Sequence, residues 1–142
     1  MATDQPEINT FRYLFKSKLM NKLASILFHS RTQAHVFHLR VKGKGSFAAH
    51  LALQTYYEGI IPLIDGLSEA FQGANGLIEF VNVDVIDNDA SIDNIIKYFD
   101  KLIAIVDKLR KEKELDFSFF QNEIDNIVML LHSTKYKLEN LE

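Results

Sequence analysis

Gly73-Ala-Asn-Gly-Leu-Ile-Glu-Phe-Val-Asn-Val-Asp-Val-Ile-Asp-Asn-Asp89 is the stretch on which the fold turns. β-branched and polar residues alternate through it. On either side the sequence instead repeats apolar residues at three- and four-residue steps, as amphipathic helices do. A long segment of this kind between helical regions reads as a crossover, extended in part. It returns the chain along the length of a bundle, so that the helices before and after it run in the same direction.

Upstream of the crossover, a second helix is expected from Phe47 to about Gln72, with Leu51, Leu53, Tyr57, Ile60, Ile61, Ile64, Leu67 and Phe71 on its stripe. Gly59 and Pro62 fall inside it. Proline removes a backbone hydrogen bond and clashes with the preceding turn, which predicts a kink with the periodicity resuming afterwards. Before it, Lys42-Gly-Lys-Gly-Ser46 forms a short link. Gly43 is placed to terminate a helix in the left-handed region, and Ser46 to cap the next one. The first helix is expected from about Asn9 to Val41, with Phe11, Leu14, Phe15, Lys18/Leu19, Leu23, Ile26, Leu27, Ala34, Phe37 and Val41 on one stripe. Residues 1–9 then form an N-terminal tail.

Downstream, a third helix is expected from Ala90 to about Lys113, capped by Asp89 or Asp87. A fourth is expected from about Asp116 to Leu138. The order of short link, long crossover and short link gives an all-α, ferritin-like four-helix bundle as a single domain over residues 1–142, with residues 73–89 as the crossover.

Composition restricts the chemistry. The chain has 142 residues, 47% of them hydrophobic, enough for one domain with a proper core. It contains no cysteine, which removes disulfides, thiolate metal sites and cysteine nucleophiles, and a reducing cytoplasmic setting is expected. Charged residues interrupt every apolar run, so neither a membrane span nor a secretion signal is expected. The net charge of −3 does not suit a surface built to neutralise phosphate.

Four residues stand out against this background: His38, His50, Asp65 and Glu69. On the second helix, at about 100° per residue, His50, Gln54, Asp65 and Glu69 fall within an arc of about 100°. They share a face, yet His50 and Asp65 are about 22 Å apart along the axis, far beyond one metal's ligand shell. Two copies of the helix lying antiparallel across a two-fold axis bring His50 of one copy to Asp65 and Glu69 of the other, giving an isologous dimer with two equivalent sites. The link folds His38 back beside His50. Imidazole nitrogen together with carboxylate oxygen suits Fe(II), Mn(II) or Zn(II) better than Mg(II) or Ca(II).

The same residues carry a resemblance. Residues 20–73, through His38-Leu-Arg-Val-Lys-Gly, Phe47-Ala-Ala-His50, Tyr57-Glu58, Ile64-Asp65 and Glu69, resemble the Dps family of miniferritins. That family's pattern is a histidine in an H-W-x-V-x-G stretch, a second histidine twelve residues later, an acid four further on, then D-x-x-x-E. The resemblance implies a hollow dodecamer that oxidises iron at dimer interfaces and stores it inside. His38, His50, Asp65 and Glu69 match, whereas Leu39 replaces the usual tryptophan, Gln54 an acid and Ala70 an arginine. An amide in place of a carboxylate weakens cation binding, so metal binding is expected ahead of efficient ferroxidase turnover. The family's DNA binding depends on a lysine-rich tail. Residues 1–10 carry Asp4 and Glu7 but no lysine or arginine, so DNA binding is not expected.

Other patterns read as structure. Asp87-Asn-Asp89-Ala-Ser91-Ile-Asp93 opens like an EF-hand loop but has Tyr98 where the bidentate glutamate belongs, so a capped, solvated turn is expected. Gly43-Lys-Gly-Ser46 lacks the glycine spacing and preceding strand of a phosphate loop. Lys108 to Lys113 is interleaved with acids and reads as a solvated helix end. His35, three residues before His38, reads as a solvated or capping residue ahead of a group supporting the His38 ring, and His29 and His132 read as structural or exposed. The rival to a metal site is a metal-free helical oligomer that keeps the fold and the dimer alone.

Overall fold

The computed structural model describes residues 4–142, with side chains from Leu19 onward. Its elements are α1 (Asp4–Arg40), α2 (Ser46–Asn75), α3 (Ile92–Leu109), a 3-10 turn (Lys113–Leu115) and α4 (Ser118–Asn140). No strand occurs among the described residues. The first helix begins at Asp4 rather than Asn9; of the expected tail, residues 1–3 lie outside the described residues, as do the side chains of Phe11, Leu14, Phe15 and Lys18. The rest of the expected α1 stripe behaves as read: Leu23, Ile26, Leu27, Ala34 and Phe37 are buried, with Leu19 and Val41 packed against the core.

Contacts between named residues give the helix directions. Gly59 of α2 lies against Leu130 of α4, and Gly66 against Glu123, so these two helices are antiparallel. Arg110 reaches Gln121 and Asp125, and Lys135 reaches Asp100, which makes α3 and α4 antiparallel as well. The short link sets α1 against α2 in a third antiparallel pair. It follows that α2 and α3 run in the same direction, as the crossover requires. Tyr56 of α2 meets Phe99 of α3 edge-on in the shared core.

The crossover follows α1 in parallel. Asn21 Oδ1 accepts from Glu79 N–H, Ser25 Oγ from Val81 N–H, and Gln33 both accepts from Asp87 N–H and donates to Asp87 C=O; Arg40 Nε donates to Asn88 C=O. The lengths agree: Asn21 to Arg40 spans about 28 Å of helix, and Glu79 to Asn88 about 30 Å of extended chain. The β-like alternation therefore serves reach, and the backbone partners it lacks in a sheet come from α1 side chains. It does not create a buried face, since Ile78 is buried while Leu77, Phe80, Val81, Val83 and Val85 remain exposed.

As the periodicity implies, α2 continues past Pro62, which is exposed. Other expectations, at the helix ends, need correction. Ser46 is the first helical residue rather than the cap; Gly45 occupies the cap position at φ 82°, and Gly43 has φ 92°. Two left-handed residues in so short a link demand glycine at both places. The third helix starts at Ile92 behind Ser91, and ends at Leu109 rather than Lys113 because Lys113–Leu115 tightens into the 3-10 turn. Asp87 and Asp89 do not cap α3. Their carboxylates hold the turn before it, Asp87 accepting from Asp89 N–H and Asn94 Nδ2, and Asp89 from Ser91 N–H.

Candidate metal centre

His38 sits in the last turn of α1 and His50 in the second turn of α2, with the two-glycine link folding one back on the other. His38 Nδ1 lies 2.8 Å from the carbonyl oxygen of His50, and His50 Nδ1 lies 3.0 Å from the carbonyl oxygen of His38. A carbonyl can only accept, so both Nδ1 atoms carry the hydrogen. In the neutral form each ring then has its lone pair on Nε2. The rings stack with centroids 3.6 Å apart and planes 20° apart. Neither Nε2 is hydrogen-bonded among the described residues, and neither is sealed from solvent.

The surroundings hold this geometry. His38 is only 8% exposed. Tyr57 presents its ring edge-on to His38 at 5.2 Å and stacks on His35 at 4.1 Å. His35, half-buried, also meets His38 directly, ring centroids 5.8 Å apart, and so packs against the pair both directly and through Tyr57. Sequence reasoning gave Tyr57 no role at the site, although its place seven residues after His50 puts it within 20° of that residue on the helix.

The carboxylates lie elsewhere. Asp65 and Glu69 are exposed toward the far end of α2, fifteen and nineteen residues from His50, or about 22 and 28 Å along the axis. Within a single chain, no group of three or more His, Asp or Glu side chains is placed to hold a metal among the described residues. Gln54, one turn from His50, donates through Nε2 to Glu58 Oε1 at 3.0 Å. The single chain therefore supplies two oriented nitrogen donors and, separately, two exposed carboxylates.

Three large apolar side chains near the pair in sequence are exposed, Phe47 and Leu51 of them along a hollow shared with the end of α4. Leu39 is 71% exposed, Phe47 is 73% exposed, and Leu51 is also exposed. His132 is exposed on α4, and His29 lies half-buried on a different face of α1.

The chain belongs to a protein family whose model, described as a family of unknown function (DUF5856), matches residues 38–138. The matched span opens on His38 and takes in α2, the crossover, α3 and nearly all of α4. No curated protein and no solved structure matches the chain. No helix among the described residues is long and apolar enough to cross a membrane.

Proposed function

We propose that the chain is a ferritin-like protein, resembling the Dps miniferritins, that binds iron or a similar transition metal at a two-fold interface between copies. The observation that carries this reading is the reciprocal His38–His50 pair. A backbone carbonyl holding Nδ1–H, with Nε2 left to ligate, is the usual way a protein fixes an imidazole for a metal. His38 and His50 supply the nitrogens, and Asp65 and Glu69 of the partner copy supply the carboxylates, with Glu69 able to bridge two ions. Zinc or manganese fits the same donor set.

Two features support the partner copy. The donors are split between the two ends of one helix face, which only an antiparallel second α2 brings together. Leu39, next to His38, and Phe47 and Leu51 at the start of α2 are exposed and offer apolar surface for that copy to cover. Fe(II) entering such a site is substrate, passing electrons to peroxide or dioxygen, and a dodecameric shell gives the ferric product a place to collect. Gln54 in the place of an acid makes binding the primary activity and turnover the weaker one.

The second reading is a metal-free helical oligomer. It is favoured by the same hydrogen bonds, because each histidine also ties α1 to α2 through the other's backbone, a structural task sufficient by itself.

Anomalous diffraction from crystals soaked in Zn(II) or Fe(II) separates the two. A peak between the histidine Nε2 atoms of one copy and Asp65 and Glu69 of its neighbour is expected, and Asp65→Ala removes it with the fold unchanged. Empty density at saturating metal overturns the metal reading. Light scattering then distinguishes a dimer from a shell of about twelve subunits, on which storage depends.

A further inference from the structure

Between Leu77 and Ser91 the crossover runs on without turn or bend, and every residue from Glu79 to Val85 is exposed. Its inner edge is used. Asn21, Ser25 and Gln33 of α1 accept from the N–H groups of Glu79, Val81 and Asp87. In an extended chain successive N–H groups point to opposite sides, so those of Phe80, Asn82, Asp84 and Ile86 face away from α1. None of these four N–H groups has a hydrogen-bond partner among the described residues. An open edge carrying exposed Phe80, Val81, Val83 and Val85 is a template for a further strand.

Symmetry indicates which strand. Glu79-Phe-Val-Asn-Val-Asp-Val-Ile-Asp87 has nearly the same chemistry in both directions about Val83. Turned over a two-fold axis at Val83, it sets Val83 against Val83, Val81 against Val85, and Phe80 against Ile86. Asn82 then stands opposite Asp84, whose carboxylate has an oxygen to spare because Val85 N–H occupies only Oδ1. Moving the axis by one residue puts either Phe80 opposite Asp84 or Asp84 opposite itself. The cost falls at the ends, where Glu79 meets Asp87 as like charges. Both are exposed, and Asp87 already accepts from Asn94 Nδ2 and Asp89 N–H. Lys22 and Lys101, in hollows on either side of Val83, lower the repulsion further. A foreign peptide would need no such symmetry.

Height in the bundle supplies an independent sign. Ser30 meets Tyr56 and His38 meets His50, so residues 28–29 of α1 are level with about residues 58–59 of α2. The clips at Ser25 and Gln33 bring residues 83–84 of the crossover to that height. An antiparallel pair of α2 helices that joins His50 to Asp65 and Glu69 has its axis between residues 57 and 60. Both axes thus lie at one level.

We propose that the crossovers of two copies of this chain pair through residues 80–86 as an antiparallel ladder, the even-numbered residues exchanging hydrogen bonds in opposed pairs. The ladder rests on the two-fold interface proposed above and on none of its metal chemistry.

Cysteine crosslinking of the full chain tests this, because the chain has no thiol of its own to compete. The ladder places the two Val83 Cα atoms about 4.5 Å apart, within reach of a disulfide, and the two Val85 Cα atoms about 14 Å apart. With oxidised glutathione, Val83→Cys is expected to form a disulfide dimer. Val85→Cys is expected not to, although Val85 is 84% exposed and Val83 only 42%. Mixed Val81→Cys and Val85→Cys chains are expected to crosslink to each other. In the wild-type chain, amide exchange should be at least tenfold slower at Asn82 and Asp84 than at Val83. Failure of Val83→Cys to crosslink in a chain that light scattering shows to be dimeric overturns the ladder and leaves the α2 interface standing. Crosslinking at Val85→Cys as fast as at Val83→Cys, or equal exchange at the three amides, also overturns it. A monomeric chain overturns both ladder and interface. The Val83→Cys crosslink without a metal peak at the histidines supports the ladder and counts against the metal reading alone.

Discussion

Gln33 pairs with the backbone of Asp87 as one peptide group pairs with another: its Nε2 donates to Asp87 C=O and its Oε1 accepts from Asp87 N–H, both at 2.8 Å. Gln33 is buried, and its amide, with Arg40 Nε on Asn88 C=O beyond it, fastens the far end of the crossover to α1. Gln33→Leu removes both bonds at a cost of about 1–2 kcal/mol. Urea unfolding should show that loss. Amide exchange should quicken at Asp87 and remain unchanged at His50; equal quickening at both sites means that the clip is not local.

The fold was legible in the sequence to the extent that periodicity and glycine placement set it. The helix count, the crossover and the left-handed Gly43 all follow from these signals. What was illegible involved side chains acting as substitutes for backbone. Asn21, Ser25 and Gln33 looked like ordinary polar positions on α1, and nothing local in sequence says that the crossover, over fifty residues away, borrows their hydrogen bonds. The pairing of His38 with His50 was legible from the link length. The reciprocity of their hydrogen bonds was not, since it depends on ring orientation. Asp65 and Glu69 were legible as a shared face with His50, and a single chain leaves them as far apart as the helix arithmetic requires.

Gln54 gives a direct handle on the proposed metal chemistry. It lies one turn from His50 on the same face, and its amide is engaged by Glu58. Gln54→Asp adds a carboxylate beside the histidines and places like charges four residues apart, which costs about 0.2–0.5 kcal/mol of helix stability. Calorimetric titration with Zn(II) should show at least tenfold tighter binding together with a slightly lower melting temperature. Unchanged metal affinity means that position 54 does not face the ion.

Gly59 faces α4 in the interior of α2, where a Cβ would sit 3.4 Å from Leu130 Cδ2, an ordinary van der Waals contact. Its backbone is not among the glycines of positive φ, so alanine is unstrained there. The gain in helix propensity, about 0.8–1 kcal/mol, is then unopposed. Gly59→Ala should raise the melting temperature by about 3–5 °C for a chain of this size. A lower melting temperature would show that α2 and α4 have no room for one methyl group.

Tyr56 supplies the pH prediction. Its hydroxyl is fully buried, 2.7 Å from Ser30 Oγ, and Ser30 Oγ in turn donates to Leu27 C=O at 2.6 Å. Ser30 has one hydrogen, so Tyr56 is the donor of the pair. Burial raises the Tyr56 pKa well above the usual range, with the Ser30 bond opposing it to a lesser degree. The sign follows: above about pH 10 the unfolded chain loses the phenolic proton while the folded chain keeps it. Stability from this group is thus complete below about pH 10 and falls by about 1.4 kcal/mol per pH unit above it. Tyr56→Phe sacrifices the hydrogen bond, about 1 kcal/mol at neutral pH, and loses this dependence. Urea denaturation from pH 8 to 11 should show the variant less stable at pH 8 and the gap closed by about pH 11, with Tyr98 contributing equally to both chains. A gap that stays constant across that range means that Tyr56 ionises without unfolding the chain.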